Sequence, residues 1–394
     1  MPEDLRHFFI PMSRYHSYWQ SATKVIEKYD GKTPLAIHLK QFFAANKQMG
    51  SKDRRTVQQL VYQFYRLGKW PEPLSVADRI LLAAQCMPAQ NEAWLQGVEK
   101  VPATAVTEQF TAEQWLNIFP NEPAVSNGIT AAALAQSMLR QPHLFVRVRP
   151  GFQGKVKAAL EKHGIEAVWL SSETIQLPNG AKLDDVLKLN QQVVVQDYSS
   201  QRTGQIIAKY WPSKGEKHVL AWDCCAASGG KSIMLYDQLS PVTLTVSDIR
   251  DSIISNLKAR FAEAGMRNYQ VFVADVAAPL AEHLHDKFDV VIADVPCSGS
   301  GTWARTPEQL YFFQPGQELQ FQQKQKAIAG NVLQAIKPGG LLVYITCSVF
   351  EAENEAVVES IAAKSGIQLL HSELINGIEH QADSMFIAVL RKGK

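Results

Sequence analysis

The chain has few cysteines, and they form no pattern typical of a metal site or a disulfide framework. Five Cys occur among 394 residues. No Cys-x-x-Cys pair and no Cys/His cluster has the spacing of a zinc site. Disulfide-dependent secreted domains are far richer in cysteine. We therefore expect a reduced, cytoplasmic protein that holds no metal and can keep free thiols.

Long apolar runs are also missing. No apolar stretch approaches the roughly 20 residues that span a bilayer. Residues 1–6 lack the basic-then-apolar pattern of a secretion signal. We therefore expect no membrane partner, and we expect a monomeric chain.

Charge of one sign is scarce overall but concentrated at the start of the chain. The formal net charge is +2, whereas residues 1–70 hold 12 Lys/Arg and only 5 Asp/Glu. A basic segment of this kind indicates either a polyanionic partner or a solvated basic face. Composition leaves both interpretations open.

The length favours two or three domains, and the hydrophobic pattern changes twice along the chain. Residues 1–125 show helical spacing, with Ser51 as a candidate N-cap. Residues 126–195 indicate a small α/β segment. Residues 196–394 alternate strand, loop and helix, which predicts a mostly parallel sheet covered by helices on both faces.

A loop of small residues follows the first strand of that alternation. Residues 226–231, Ala-Ala-Ser-Gly-Gly-Lys, match neither the dinucleotide fingerprint nor the P-loop. Asp248, Asp275 and Asp294 each end one of the following strands, where a carboxylate can accept hydrogen bonds from ribose hydroxyls. The pattern predicts a nucleoside cofactor without phosphates, for which S-adenosylmethionine qualifies. The alternative is a structural turn with three strand-end caps.

Two cysteines lie 50 residues apart, each just beyond an apolar strand. Cys297 and Cys347 both enter loops of small polar residues, which suggests covalent chemistry beside the cofactor. A redox dithiol pair is the alternative. Cys86, Cys224 and Cys225 are expected to be buried apolar residues, although the backbone of Cys225 could line the cofactor.

Five segments together resemble the RNA cytosine-5 methyltransferase family, in particular its Sun/RsmB group. They are residues 196–201 (QDYSSQ), 223–232 (DCCAASGGKS), 294–308 (DVPCSGSGTWARTPE), 344–358 (YITCSVFEAENEAVV) and 383–388 (DSMFIA). Residues 51–67 are similar to the NusB-like RNA-binding domain of that group. The resemblance implies a Rossmann-like methyltransferase domain over 196–394. It would follow a small α/β RNA-contacting segment (126–195) and an all-helical NusB-like domain (1–125).

The resemblance also implies roles for individual residues. S-adenosylmethionine would be bound by residues of the loop and the strand ends: Cys225, Ala226, Ala227, Ser228, Gly229, Gly230, Lys231, Asp248, Asp275 and Asp294. Cys347 would be the nucleophile, Cys297 would assist product release, and Asp294 could hydrogen-bond the cytosine ring nitrogen. Lys231, Arg202 and Arg305 could neutralise substrate phosphates or the cofactor carboxylate.

The family chemistry explains why a thiol is needed beside the cofactor. Carbon 5 of cytosine is a poor nucleophile, and addition of a thiolate to carbon 6 makes it reactive enough to accept a methyl group. The target base must be unpaired or flipped out of a helix to reach the thiol.

Three positions depart from the family pattern. Ser228 stands where Pro is usual, Ser384 replaces a Gly, and Arg149 replaces the Asn of an Arg-x-Asn segment that starts at Arg147. The last departure makes substrate contact by that segment doubtful.

The sequence thus predicts an S-adenosylmethionine-dependent RNA cytosine-5 methyltransferase that acts on ribosomal RNA of the small subunit. The alternatives are a transfer-RNA cytosine-5 methyltransferase, a non-catalytic RNA-binding assembly factor and a redox protein.

Overall fold

A computed structural model describes residues 14–70, 74–87, 118–119, 124–211, 218–239 and 241–394. The chain divides into two compact units. The helical unit comprises the described parts of 1–123, 130–141 and 303–315, and the sheet unit comprises 124–129, 142–302 and 316–394. The predicted boundaries after residues 125 and 195 stay predictions. The two compact units do not follow these boundaries, because segment 303–315 lies within the predicted third domain but belongs to the helical unit.

The helical unit is built from amphipathic helices, as the spacing of apolar residues predicted. Its first helices are α1 (Arg14–Lys28), α2 (Leu35–Ala45), α3 (Ser51–Arg66), α4 (Val76–Cys86) and α5 (Ala131–Met138). The prediction of Ser51 as N-cap of α3 was wrong. The cap is Gly50, whose backbone N–H donates to Asp53 Oδ2 over 2.9 Å.

Aromatic side chains join segment 303–315 to this helical core. Tyr311 lies edge-on to Tyr65, with ring centroids 5.3 Å apart, and Phe312 lies edge-on to Tyr29 at 5.6 Å. Arg79 stacks its guanidinium 4.4 Å from the Phe64 ring centroid. The helical unit is therefore assembled from residues nearly 300 positions apart in sequence.

A small antiparallel sheet begins the sheet unit. Its elements are β1 (Leu144–Val148), α6 (Gln153–Lys162), β2 (Val168–Trp169), β3 (Thr174–Leu177) and β4 (Val193–Val195). The strand order is β2-β3-β1-β4. Sequence analysis missed β3 in a segment rich in polar residues, although its pairing with β1 buries Ile175 and Leu177.

A seven-stranded mixed sheet dominates the unit. Its strands are β5 (Val219–Asp223), β6 (Val242–Asp248), β7 (Tyr269–Val273), β8 (Phe288–Asp294), β9 (Ile336–Thr346), β10 (Ile367–Ile375) and β11 (Met385–Lys392). The order is β10-β11-β9-β8-β5-β6-β7. Strand β11 runs antiparallel to both of its neighbours, β10 and β9, and all other neighbouring strands are parallel. Sequence analysis missed β10, an edge strand interrupted by polar residues.

Helices cover both faces of the large sheet. They are α7 (Tyr198–Tyr210), α8 (Gly230–Gln238), α9 (Asp251–Glu263), α11 (Gln317–Val332) and α12 (Glu355–Ala362). The short helix α10 (Pro307–Phe312) belongs to the helical unit. Two apolar cores, one on each face, bury the strands. This is the predicted α/β Rossmann-like fold class. Among the described helices, none has the length and apolar character required to cross a bilayer.

Candidate active site

Neighbouring parallel strands bring the two cysteine loops together. Asp294 at the end of β8 pairs with Ile345 near the end of β9, and the N–H of Val295 donates to the Ile345 carbonyl over 3.0 Å. The chain leaves both strands at the same sheet edge. As a result, the sulfurs of Cys297 and Cys347 lie 3.2 Å apart, both as free, half-buried thiols.

A partly buried ion pair lies at the same end of the sheet as the thiols. Lys231, in the first turn of α8, donates from Nζ to Asp294 Oδ2 over 2.7 Å. Burial lowers the pKa of Lys231, but the charge of Asp294 and the hydrogen bond to it outweigh this effect, so the pKa is raised overall. The ammonium group thus stays charged next to the carboxylate.

A carboxylate beneath the cysteine loops was missed by sequence analysis. Glu353 is fully buried and accepts three hydrogen bonds. Oε2 accepts from the Ser298 N–H (2.8 Å) and from Gln325 Nε2 (3.0 Å), and Oε1 accepts from the Ser348 hydroxyl (2.7 Å). Ser298 follows Cys297 and Ser348 follows Cys347, so one carboxylate fastens both loops. The available signal was an acidic residue six positions after Cys347 in a segment already assigned to the site.

The backbone of the Cys347 loop is held from the opposite side by Gly301. Its N–H donates to the Cys347 carbonyl over 2.9 Å, and its carbonyl accepts from the Ser384 N–H over 3.0 Å. A Cβ at position 301 would collide with the backbone of both neighbours. The departure at Ser384 is accommodated because its buried hydroxyl accepts from the Gly377 N–H over 3.3 Å.

The loop between β5 and α8 adopts a conformation that presents backbone at the sheet edge. Ala227 and Gly229 have φ values of 44° and 80°, in the left-handed region. A Cβ at Gly229 would lie 2.6 Å from the Phe261 ring. The amide groups of the first turn of α8 point out of this loop and favour negatively charged or polar groups.

The three strand-end aspartates have different surroundings. Asp248 is buried, and its carboxylate accepts from Ala227 N–H and from Arg250. Partial burial raises the pKa of Asp248, but the hydrogen bonds from Arg250 lower it by a larger amount. The pKa of Asp248 therefore lies below its usual value. Asp275 is exposed and accepts from the Ala277 N–H over 3.0 Å, a local turn. Asp294 forms the ion pair with Lys231.

The donors and acceptors of this edge fit S-adenosylmethionine. The positive charge and the ribose hydroxyls of S-adenosylmethionine require carboxylates, which Asp248 and Asp294 supply. The carboxylate of the cofactor requires amide donors, which the first turn of α8 supplies. An adenine ring requires an apolar surface. Ile249, directly after Asp248, is 52% exposed and provides one. Sequence analysis did not name Ile249, although an apolar residue after the strand-end acid was a usable signal.

The remaining predicted residues have other surroundings. Arg202 bonds within its own helix to Gln205 over 2.6 Å, and Arg305 belongs to the helical unit. Cys86 and Cys224 are buried as expected, and burial raises the pKa of Cys86 to about 12. Cys225 is half-buried, which differs from the expectation.

The Arg-x-Arg segment is structural. Arg147 and Arg149 both bind Asp237 at the end of α8, with N–O distances of 2.8 and 2.7 Å, and all three side chains are buried or nearly so. This buried ion pair joins the small sheet to α8. Both guanidinium groups thereby contact Asp237 within the protein.

Comparison with known proteins identifies the family. Residues 207–391 match the family described as 16S rRNA methyltransferase RsmB/F. These residues belong to the RsmB/F methyltransferase family. The domain is therefore a Rossmann-like domain of the Sun/RsmB family of S-adenosylmethionine-dependent methyltransferases, as the sequence predicted.

Curated relatives of the RsmB/F domain come from several bacteria. The chain is 29% identical over 308 residues to the ribosomal RNA small subunit methyltransferase B of Xylella fastidiosa strain 9a5c, covering 75% of this chain and 66% of the relative. It is 26% identical over 204 residues to the probable enzyme of that name from Bacillus subtilis, covering 48% and 44%. The chain thus spans less than two thirds of the length of these relatives.

Solved structures support the fold of the RsmB/F domain and the segments before it. PH0851 superimposes with a TM-score of 0.71 at 17% identity, covering 94% of this chain and 97% of that one. NSun6 from Pyrococcus horikoshii, solved with SFG, gives a TM-score of 0.57 at 17% identity, covering 72% of this chain and 97% of that one.

Within the described residues, no group of three or more His, Cys, Asp or Glu is placed to hold a metal ion.

Proposed function

We propose that this chain transfers a methyl group from S-adenosylmethionine to carbon 5 of a cytosine in RNA, with small-subunit ribosomal RNA as the substrate. The observation that carries the proposal is the pair of free thiols 3.2 Å apart beside the Lys231–Asp294 ion pair. Two sulfurs at this distance can act on the same ring carbon and its neighbour.

Each group then has a role in the proposed reaction. The thiolate of Cys347 attacks carbon 6 of the cytosine, and Asp294, having received a proton from the Lys231 ammonium, donates a hydrogen bond to the ring nitrogen as negative charge develops there. S-adenosylmethionine supplies the methyl group to carbon 5. Cys297, facing the new sulfur–carbon bond, assists loss of the carbon 5 proton and elimination of Cys347. Lys231 keeps Asp294 in place and stabilises negative charge in the crevice.

The assignment of ribosomal RNA rests on two observations. The curated relatives carry that substrate in their names. The helical unit exposes several lysines on α1 and α2, which favours a polyanion. Transfer RNA is the competing substrate of the same chemistry.

Cysteine substitution tests the proposal directly. The purified chain is incubated with labelled S-adenosylmethionine and either unmodified 16S ribosomal RNA or transfer RNA, and methylated positions are mapped by bisulfite sequencing. We expect Cys347→Ser to abolish methyl transfer. We expect Cys297→Ala to accumulate an RNA–protein adduct that survives denaturing electrophoresis, because elimination is blocked. Cys86→Ala, remote in sequence and buried in the helical unit, serves as the matched control.

Three outcomes would contradict the proposal in different ways. Normal methylation by Cys347→Ser would refute the nucleophile. Methylation of transfer RNA alone would replace the substrate. No methylation of any RNA, together with a Cys297–Cys347 disulfide that cycles with a dithiol reductant, would favour the redox alternative, which the 3.2 Å distance between the sulfurs permits.

A further inference from the structure

The side chain of Asn354 does not make the contact that its position on a helix predicts. Asn354 is the N-cap of α12. An asparagine at an N-cap usually accepts a hydrogen bond from a backbone N–H of the first helical turn. Within the described first turn of α12, the buried Asn354 side chain accepts no such bond. Its amide group is used elsewhere.

The amide of Asn354 holds the residues on either side of Cys347. The Thr346 hydroxyl donates to Asn354 Oδ1 over 2.6 Å, and Asn354 Nδ2 donates to the Ser348 carbonyl over 2.9 Å. The Ser348 N–H donates back to the Thr346 hydroxyl over 3.1 Å. These three bonds form a closed, buried set around the turn 346–348, which we call the Asn354 ring.

The chemistry of the ring atoms fits asparagine specifically. The Thr346 hydroxyl has one hydrogen, and because it accepts from Ser348, it gives that hydrogen to Asn354 Oδ1. A backbone carbonyl only accepts, so the Ser348 carbonyl requires the donor that Nδ2 supplies. The second hydrogen of Nδ2 goes to Ser126 Oγ over 2.8 Å. An aspartate has the same shape but, when ionised, lacks both donors.

The Asn354 ring belongs to one of the two cysteine loops. Glu353 bonds to both loops, whereas the Asn354 side chain bonds to the two neighbours of Cys347 and to Ser126. The Gly301 N–H holds the Cys347 carbonyl over 2.9 Å. Because the peptide groups on both sides of Cys347 are held, the direction of its Cα–Cβ bond is fixed.

We propose that Asn354 is a positioning residue for the nucleophile: it holds the turn 346–348 so that the Cys347 sulfur is aimed at carbon 6 of the cytosine. The inference rests on the proposed function, which assigns the attack to Cys347. The amide acts through the backbone of the turn. Since a displacement of about 1 Å can cost roughly a hundredfold in rate, loss of the ring should appear in kcat.

Asn354→Asp removes the donor and keeps the shape of the side chain. The carboxylate can still accept from Thr346, but its second oxygen faces the Ser348 carbonyl, to which it cannot donate. At pH 8 we expect kcat for methyl transfer to fall by roughly 10- to 100-fold, with the KM values for S-adenosylmethionine and RNA within about twofold of the wild type. A loss confined to KM contradicts the positioning role.

The pH profile of Asn354→Asp separates positioning from a general loss of structure. A protonated carboxyl group regains a donor. Burial beside the acidic groups of Glu353, Glu355 and Cys347 raises the pKa of a carboxyl at position 354. The deficit in kcat relative to the wild type should therefore shrink as pH falls from 8 to 6. Asn354→Ala cannot regain a donor, so its deficit should stay constant, and equal pH profiles in the two variants contradict the inference.

The affected step is isolated in the Cys297→Ala background, where the RNA–protein adduct is expected to accumulate. Asn354→Asp should slow adduct formation in a single turnover by the same factor as kcat, because this step is the attack by Cys347. Asn268→Asp is the matched control. Asn268 Nδ2 donates to the Val242 carbonyl over 3.3 Å at the amino end of β6, the opposite edge of the sheet, so its rates should equal the wild type.

Thr346→Val opens the Asn354 ring at another point and serves if Asn354→Asp does not fold. It removes the hydroxyl that joins Asn354 and Ser348 and keeps the shape of the side chain. We expect a similar fall in kcat, and no further fall when both substitutions are combined, because the ring is already open. Wild-type kcat in a folded Asn354→Asp protein overturns the inference. If that variant does not fold, wild-type kcat in Thr346→Val overturns it.

Hydrogen exchange distinguishes failure of this inference from failure of the proposed function, because it needs neither RNA nor cofactor. In Asn354→Asp, peptides covering 344–350 should exchange faster than in the wild type, and peptides covering 294–300 should be unchanged. A wild type that methylates no RNA while the variant shows this pattern refutes the function and leaves the ring. A wild type that methylates RNA, with unchanged kcat and exchange in the variant, refutes the positioning role alone.

Discussion

At the residue scale, Asp223 carries an unusual protonation state. It ends β5 directly before the cofactor loop, is 1% exposed, and accepts from the Ser232 hydroxyl over 2.6 Å. Burial raises the pKa of Asp223 to about 7, although the Ser232 hydrogen bond acts to lower it. The acid is thus largely neutral below pH 7 and becomes charged in a buried position above it.

This shift predicts a pH-dependent stability. Because the folded-state pKa lies above the unfolded value near 4, the stability contribution of Asp223 is complete below about pH 4 and is lost as pH rises through 7. We expect Asp223→Asn to gain roughly 1–4 kcal/mol relative to the wild type between pH 5 and pH 8. Thermal unfolding at both pH values, without cofactor, measures the gain.

Asp286→Asn is the control for that measurement. The Lys392 hydrogen bond lowers the pKa of Asp286, so this exposed carboxylate stays ionised from pH 5 to 8 and its replacement should shift stability equally at both. If the change in stability caused by Asp223→Asn is equal at pH 5 and pH 8, the carboxyl group of Asp223 titrates outside this pH range.

At the scale of elements, α9 holds the loop between β5 and α8, which is the predicted cofactor loop. Arg260 on α9 donates to the carbonyl and hydroxyl oxygens of Ser228 over 3.2 and 3.0 Å, and to Asn190 Oδ1 over 2.7 Å. Ser228 replaces a proline that would fix the loop through its ring. The hydrogen bonds of Arg260 supply the missing restraint, and they connect the loop to the small sheet at Asn190.

Removal of this brace should affect cofactor binding more than chemistry. We expect Arg260→Ala to raise the KM for S-adenosylmethionine by roughly tenfold with little change in kcat, since a hydrogen bond from a charged donor contributes about 1.5 kcal/mol. Arg267→Ala, at an exposed position beyond the end of α9, is the matched control. A fall in kcat at constant KM would show that Arg260 acts on the reaction and not on the loop.

At the scale of the whole molecule, the helical unit includes a segment that interrupts the sequence of the sheet unit. Segment 303–315 overlaps the end of the Cys297 motif (294–308), yet its Tyr311 packs on Tyr65 of α3 and its Phe312 packs on Tyr29, just beyond α1. Deletion of residues 1–125 would leave these aromatic rings without their partners. Charge substitution is therefore the cleaner test of RNA binding by this unit.

Exposed lysines that line a cleft of about 690 Å³ between α1 and α2 provide that test. We expect Lys24→Gln combined with Lys28→Gln to weaken RNA binding and to lower the slope of log Kd against log salt by about 1–2, as each lost phosphate contact removes 0.7–0.9. Filter binding at several salt concentrations measures the slope. The same change at Lys324 and Lys326, exposed on α11 of the sheet unit, is the charge-matched control. An equal slope in both double variants would mean that the α1 face is only solvated.

The core strands of the large sheet and their order of appearance were predictable from sequence, because buried parallel strands are continuous apolar runs. The edge strand β10 was not, since polar residues interrupt its apolar pattern. The same distinction holds in the site. Cys297, Cys347 and Asp294 follow obvious strands, whereas Glu353 acts through contacts with residues 55 and 5 positions away.

The amino-acid sequence by itself determined the fold class, the type of cofactor and the set of strand-end residues that we propose to carry the chemistry, because these depend on local periodicity and on motif order. Only the tertiary structure decided the distance between the two sulfurs, the ion pair of Lys231 with Asp294 and the buried carboxylate of Glu353 under both loops. Those features arise from strand register and burial, which bring residues distant in sequence together around the thiol pair and are not encoded in the spacing of any one segment.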